Sequence, residues 1–205
     1  MNDSKDLSML LDSSRAPGRR DARNLPIRFR AALAKLDMLG IPAVFVGRVA
    51  YGRYAAAQFC EQIDVLLGME ASSKRWDRTL ADLEAADSVA SSAGSTVKLV
   101  VHSSRCPDET ALIAQTQRVS WLDCSAPLAT GEHLFMRFLL EGTREAWALA
   151  VQLAMAYPLD PLRAAQIGEM LAVPDSAIRA TLQRAVRDKA SHWRADHGRE
   201  ASPKS

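Results

Sequence analysis

Apolar positions follow two different periods along the chain. Up to about residue 128, short apolar runs rich in β-branched residues alternate with helical patterns, and beyond that point every apolar set recurs at helical spacing. Short apolar runs indicate buried strands, whereas recurrence every three to four residues indicates a helix with one buried face. The pattern therefore predicts an α/β fold over residues 25–128, with a small mixed sheet and flanking helices, followed by an all-α helical domain over residues 129–194.

Strands and helices alternate in the first region. The predicted strands cover residues 41–46, 63–67, 96–102 and 119–122, and the predicted helices cover 26–39, 49–54 and 73–86. Pro26 is expected to open the first helix, where its missing N–H costs nothing, and Gly40 to end it. The second region is expected to contain four helices, at residues 134–140, 145–156, 162–171 and 175–193.

The two ends of the chain are polar. Residues 1–24 are rich in Ser, Asp and Arg and contain the breaker Pro17-Gly18, so they are predicted to form a mobile tail. Residues 195–205 are predicted to be a frayed tail.

The composition indicates which class of protein this chain belongs to. Hydrophobic residues make up 48% of the chain, enough for a sizeable core, and the formal net charge is only +2. The three cysteines, Cys60, Cys106 and Cys124, are odd in number and widely spaced, which fits neither a disulfide framework nor a zinc site. The N-terminus does not resemble a signal peptide, and no apolar run reaches the roughly 18 residues of a membrane helix. A cytoplasmic protein with no membrane partner is expected.

Positive charge is concentrated in two stretches. Residues 15–30 hold six arginines against one acid, and residues 178–194 hold five cations against one acid. Both stretches suit contact with phosphate, and both also suit a solvated helix face.

A strand, a glycine turn, a helix and a second strand carrying an aspartate follow one another between residues 41 and 67. Nucleotidyl transfer needs two divalent metals held by carboxylates, because the attacking and the leaving oxygen must both be stabilised. Two carboxylates at i and i+2 on a strand share one face and form such a clamp. Here this position pair reads Gln62-Ile63-Asp64.

This stretch resembles the core motif of the nucleotidyltransferase superfamily, in particular its small bacterial members such as the toxins of abortive-infection systems. Gly47 matches the first glycine of the family turn, Arg48 replaces the second small residue, and Ala50 matches the small helix position. Asp64 keeps the second acid, whereas Gln62 stands in place of the first.

Three further positions depart from the family pattern. Gln58 and Cys60 stand where members often carry Arg and Thr, and Lys98 stands at the expected place of the third acid. One carboxylate cannot hold two Mg²⁺ ions, and a lysine would bring a cation close to the metal position. The resemblance therefore implies a degenerate site with no metal and no cofactor, in which Asp64 is a remnant of the catalytic set.

Other interpretations of this site remain open. Gly47 and Arg48 are candidates for nucleotide binding, since an arginine pairs well with phosphate. An active enzyme would use Mg²⁺ and recruit Asp64 and Glu61 unconventionally. Alternatively, Asp64 is a strand-end aspartate bonded to a nearby amide and Gly47 is a plain turn glycine.

A helix-turn-helix pattern covers residues 164–187. Its apolar positions are Ile167, Leu171, Val173, Ile178 and Leu182. Gly168 and Ala172 are small where two helices must approach closely, and Pro174 opens the second helix. The segment resembles the C-terminal region of alternative sigma factors, although Ala172 replaces the usual turn glycine and no polymerase-binding region precedes it.

The second helix of this segment carries the candidate nucleic-acid contacts. Arg179, Gln183, Arg184 and Arg187 are expected on its exposed face, where Gln and Arg can read base edges and Arg can neutralise phosphate. The alternative is a helical bundle whose basic face is merely solvated. The four histidines have no acid or cysteine at ligand spacing and are expected to be solvated or hydrogen-bonded.

These patterns favour a non-catalytic nucleotidyltransferase-fold protein that binds or regulates a protein or nucleic-acid partner. The alternatives are an active nucleotidyltransferase that uses Asp64 and a DNA-binding regulator led by the C-terminal helices.

Overall fold

The computed structural model describes residues 18–55, 62–91 and 97–198. Within them the helices are α1 (Gly18–Leu39), α2 (Gly47–Tyr51), α3 (Trp76–Ser91), α4 (Pro107–Ala114), α5 (Gly131–Glu141), α6 (Arg144–Ala156), α7 (Pro161–Met170) and α8 (Asp175–Gly198). The strands are β1 (Ala43–Val46), β2 (Gln62–Leu67), β3 (Lys98–Ser103), β4 (Arg118–Trp121) and β5 (Cys124–Pro127). The predicted mixed α/β class is confirmed.

The central sheet has the order β1-β2-β3 and mixed direction. β1 is antiparallel to β2, with Val46 opposite Asp64, and β2 is parallel to β3, with Gln62 opposite Lys98. β4 and β5 form a separate hairpin, which reaches the central sheet through a bridge between Phe45 and Leu128.

The two faces of the sheet pack against different helices, because successive side chains on a strand point to opposite faces. On one face, Phe45 and Val65 pack in a cluster that includes Phe29 and Leu33 of α1. On the other face, Val44, Val46 and Leu66 belong to a second cluster, with many residues of α5 and α6. Asp64 shares the face of Leu66 and therefore points toward the C-terminal helices.

Helix bounds differ from the prediction at both ends of the chain. α1 begins at Gly18, so residues 18–24 are helical rather than part of a mobile tail, and Pro26 lies inside the helix instead of opening it. Arg, Ala and Leu dominate residues 19–25 and are strong helix formers. α8 continues to Gly198, beyond the predicted end at residue 193 and into the segment expected to be frayed. Residues 1–17 and 199–205 lie outside the described part.

Two elements were not predicted. α4 is short and only weakly amphipathic, so its periodicity gives little signal, but Pro107 occupies its first turn and the Cys106 thiol accepts a hydrogen bond from the Glu109 amide. β5 follows a tight turn in which Leu122 and Asp123 have positive φ, a conformation that aspartate tolerates but that is unusual for leucine.

The helices after Gly131 contact one another. α6 packs against α5 and α8, and α7 packs against α5. Trp147 of α6 donates a hydrogen bond from Nε1 to Thr181 Oγ1 of α8 at 2.9 Å. No helix in the described residues is long and apolar enough to cross a lipid bilayer.

Candidate functional site

A cavity of about 790 Å³ lies between one edge of the central sheet and helices α5 and α6. Ligand sites typically measure roughly 300–1,000 Å³, so the cavity has room for a small molecule. Its lining comes from both halves of the chain: Val46, Gly47, Arg48, Gln62, Asp64, His102, Arg105, Arg137, Phe138, Leu140, Glu141, Glu145, Ala146 and Leu149. The predicted site residues Gly47, Arg48 and Asp64 thus share one cavity.

Gly47 lies directly against Asp64. Its φ is +62°, and a Cβ at this position would fall 2.2 Å from Asp64 Oδ2. The pairing of Val46 with Asp64 in the sheet places the turn beside the carboxylate. Only glycine fits here, both because of its φ and because of the contact.

The Asp64 carboxylate is buried and hydrogen-bonded. Its Oδ1 accepts a hydrogen bond from Gln62 Nε2 at 2.9 Å and lies 3.1 Å from His102 Nε2. Gln62 occupies the first acid position of the resembled motif. In place of a metal-binding carboxylate, this position therefore carries an amide that donates a hydrogen bond to Asp64. Asp64 is therefore not the backbone-bonded strand-end aspartate of the simplest interpretation.

Lys98 is not at the position expected for it. It lies opposite Gln62 on β3, is exposed, and does not line the cavity. Val100 is the strand neighbour of Asp64, and His102 lies two positions further along the same face of β3. The contact with Asp64 is made by His102 and not by Lys98. The sequence contained this signal, because residues 98, 100 and 102 share one face of a strand, but nothing marked which of them would reach the carboxylate.

Arg48 forms an ion pair with Glu145, in the first turn of α6. The arginine is half-buried and the carboxylate is exposed. The candidate phosphate contact at the glycine turn is therefore joined to an acid from the C-terminal helices. Both residues line the cavity, and their ion pair joins α2 to α6 there.

Glu109 is a buried carboxylate that contacts the backbone of Arg105 and the guanidinium of Arg137, two residues that line the cavity. Glu109 is fully buried; its Oε2 accepts a hydrogen bond from the Arg105 backbone N–H at 2.7 Å, and its Oε1 lies 2.9 Å from His133 Nε2. Arg137 Nη1 lies 3.6 Å from the same Oε1. His133 and Arg137 are one turn apart on α5, so both face α4.

Burial and hydrogen bonding act in opposite directions on Glu109. Burial alone would raise the pKa of this carboxyl, but the hydrogen bonds from His133 and the Arg105 amide, together with the charge of Arg137, outweigh it and lower the pKa. Burial also lowers the pKa of Arg137, and the nearby Glu109 opposes that effect. Glu109 is consequently a carboxylate at neutral pH, bonded to the elements that carry Arg105 and Arg137.

The remaining candidate residues either have no place in the cavity or lie outside the described part of the chain. Gln58, Cys60 and Glu61 lie outside the described residues. Across residues 18–55, 62–91 and 97–198, no three His, Cys, Asp or Glu side chains converge as a metal site would require. His192 Nδ1 lies 2.9 Å from the carbonyl of Asp188, far along α8 from the cavity.

The helix-turn-helix segment has a tight turn between α7 and α8. Ala172 adopts φ +55°, and the Val173 amide donates a hydrogen bond to the Gly168 carbonyl at 2.8 Å, which closes the end of α7. Ala172 is exposed, so its role is in the turn and not in the helix contact. Gly168 does make that contact, since a Cβ there would lie 2.8 Å from Ile178 Cδ1.

The predicted nucleic-acid residues lie on the outer face of α8. Arg179, Gln183, Arg184 and Arg187 are exposed, while Thr181 and Ala185 on the opposite face are buried. Arg179 pairs with Asp175 at 3.5 Å, and Arg184 pairs with Asp188 at 2.8 Å. Exposed pairs of this kind contribute little to stability, so both arginines can exchange their partner for a phosphate.

Comparison with known proteins gives no assignment. No family model matches the sequence, and a search of curated proteins finds no similar chain.

Proposed function

We propose that the chain is a non-catalytic protein of the nucleotidyltransferase type, with a C-terminal helical bundle, and that it acts by binding a ligand in the cavity beside Asp64. The observation that carries this proposal is the arrangement around that carboxylate. Oδ1 of Asp64 is occupied by Gln62 Nε2 and His102 Nε2. Two metal ions in phosphoryl chemistry require several carboxylates, and among the residues that the structure describes the strands at this edge contribute a single carboxylate to the cavity, that of Asp64.

The order of elements supports the proposed fold type. A strand, a glycine turn with positive φ, a short helix and a strand bearing Asp64 follow in sequence, and the turn contacts the aspartate. The cavity also supports binding, because charged and apolar side chains line it together. A cavity between two halves of a chain is a common place for a ligand.

Incubation with labelled nucleoside triphosphates, in the presence of Mg²⁺ or Mn²⁺, tests the loss of catalysis. We expect no label on the protein, on added RNA or on an added protein acceptor. Transfer that persists through purification and disappears in Asp64→Asn would overturn the proposal and favour an active enzyme. Transfer that is equal in Asp64→Asn would indicate a contaminant, and the assay would then be repeated on material purified until both preparations give the same background.

A second candidate function, DNA binding through α7 and α8, is favoured by the left-handed turn at Ala172 and the close crossing at Gly168. In helix-turn-helix readers the second helix enters the major groove. Fluorescence anisotropy with a duplex DNA at low salt is expected to show binding that weakens as salt increases. Arg184→Ala with Arg187→Ala should weaken it, and Arg78→Ala, a charge change of the same kind on exposed α3, should not. Absence of binding at low salt would remove this candidate.

A further inference from the structure

The outer face of α1 carries an exposed apolar stripe. Phe29, Leu33 and Leu36 of this helix are buried in the cluster on the first face of the sheet. On the opposite side of the helix, exposed apolar residues recur at intervals of four, three and four positions: Ile27, Ala31, Ala34 and Met38. Ile27 is 66% exposed and Met38 is 81% exposed. We call these four residues the α1 stripe; their spacing is that of the seam along which two helices pack.

The side chains of the α1 stripe have the same order of size from either end. A large residue stands at each end, Ile27 and Met38, and two alanines stand between them. If two copies of the helix pack antiparallel about a two-fold axis, Ile27 of each copy meets Met38 of the other, and Ala31 meets Ala34. The alanines let the helices approach closely where they cross, and the larger residues fill the space where they diverge. The stripe is therefore self-complementary, as a two-fold interface requires.

Charged residues beside the stripe favour this antiparallel arrangement. Arg30 and Asp37 flank the stripe on one side, and Lys35 flanks it on the other. In an antiparallel pair the same flanks of the two helices meet, so Arg30 of each copy faces Asp37 of the other, and symmetry makes the contact twice. In a parallel pair opposite flanks meet, and Arg30 would face Lys35 with repulsion between like charges.

Arg30 and Asp37 remain accessible to a second copy. Arg30 Nη2 lies 3.5 Å from Asp123 Oδ2, and Asp37 Oδ1 lies 2.8 Å from Arg118 Nη1. The side chains of Arg30 and Asp37 are nevertheless 51% and 52% exposed. Exposed ion pairs contribute little to stability, and both a guanidinium and a carboxylate can bond more than one partner. Both residues can therefore join a network that spans two chains.

We propose that the protein forms a two-fold symmetric dimer in which the α1 stripes of two copies pack antiparallel, with Arg30 of each copy opposite Asp37 of the other. Four residues on each side make a small interface, which suits a reversible dimer in the micromolar range. The inference goes beyond the proposed binding function and is independent of it, because α1 and the helices around the cavity pack on opposite faces of the sheet.

Sedimentation equilibrium of the full chain over a range of protein concentrations tests the dimer. Ala34→Glu places a charge at the centre of the stripe and should weaken dimerisation by at least about tenfold, because the carboxylate loses water against the other helix. Ala180→Glu makes the same change at an exposed position of α8 and should dimerise as the wild-type protein does. Thermal unfolding at a concentration where all three proteins are monomeric should show the same melting temperature.

An exchange of charges tests the orientation. Arg30→Glu and Asp37→Arg each bring like charges together at both contacts, so each variant alone should dimerise at least about tenfold more weakly than the wild-type protein. In an equimolar mixture of the two variants, every contact of the mixed dimer again joins an acid to an arginine. The mixed dimer should therefore form with an affinity within about threefold of that of the wild-type dimer.

Four results would overturn the inference. The first is a full chain that stays monomeric up to about 1 mM, where a micromolar dimer is fully formed. The second is a dimer that Ala34→Glu weakens no more than Ala180→Glu does. The third is a mixture of Arg30→Glu and Asp37→Arg that associates no better than either variant alone, and this result decides if Ala34→Glu fails to fold. The fourth is a tighter dimer in Arg30→Glu, which would indicate a parallel pair.

Discussion

Gly47 and Asp64 are in contact across the first two strands, so closely that a Cβ on the glycine would fall 2.2 Å from Oδ2 of the carboxylate. The pairing of Val46 with Asp64 brings them together. The glycine thereby fixes where the carboxylate stands, and Gln62 and His102 bond it from the other side. The shape of this end of the cavity depends on that contact.

Gly47→Ala should destabilise the protein by more than a positive φ alone explains. A left-handed non-glycine residue costs roughly 1–2 kcal/mol, and at Gly47 the added methyl must also displace the buried Asp64. Gly40 provides the matched control, because its φ is +60° and a methyl group added there would have nothing within 4 Å of it. Urea unfolding should show a larger loss for Gly47→Ala than for Gly40→Ala, and equal losses would contradict the contact.

The contact between Gly47 and Asp64 was predictable, and the rest of the site was not. A glycine directly before a helix, followed by an aspartate on the next strand, is a pattern that can be recognised in the sequence alone. Glu109, Arg105 and Arg137 come together only through the packing of α4 against α5, and α4 itself gave too weak a period to be predicted. Residues that meet through tertiary packing leave no spacing by which a single sequence can identify them.

Gln62→Asp tests whether the number of acids is what limits metal binding. The change replaces a hydrogen bond to Asp64 with a second carboxylate at i and i+2, so the variant should lose on the order of 1–2 kcal/mol of stability in EDTA. Millimolar Mg²⁺ should then raise its melting temperature, because two carboxylates on one face suit a hard cation. The wild-type protein should melt at the same temperature with or without Mg²⁺.

Gln62→Ala is the control for this effect, since it removes the same hydrogen bond without adding charge. Its melting temperature should not respond to Mg²⁺. A response in the wild-type protein or in Gln62→Ala would show that Asp64 already has metal-binding partners.

Glu109→Gln should be strongly destabilising. The carboxylate is fully buried and bonded to His133 and the Arg105 amide, and removing the charge of one partner in such a buried pair costs roughly 3–5 kcal/mol. Glu84→Gln, an identical change on the exposed surface of α3, should alter the unfolding free energy by less than about 0.5 kcal/mol.

Stability should also depend on pH through Glu109. Its folded-state pKa lies below the ordinary value of 4.5, because the bonds from His133 and Arg105 outweigh burial, so the unfolded chain takes up the proton first as pH falls. The stabilisation is complete above pH 4.5 and is lost progressively below it. The unfolding free energy of Glu109→Gln should therefore fall less steeply with decreasing pH than that of the wild-type protein. An unchanged slope would show that other groups cause the loss of stability in acid.

Ala172→Gly should stabilise the protein, although glycine usually has the opposite effect. Ala172 adopts φ +55° at the end of α7, where glycine is free of the Cβ penalty of roughly 1–2 kcal/mol. Part of that gain is offset because glycine gives the unfolded chain more freedom, so a net increase of roughly 0.5–1 kcal/mol is expected. Ala180→Gly makes the same chemical change at an exposed position inside α8 and should lower stability by roughly 0.5–1 kcal/mol. Opposite signs in urea unfolding would establish the left-handed turn on which the crossing of α7 and α8 depends, whereas two losses of similar size would mean that the turn is absent in solution.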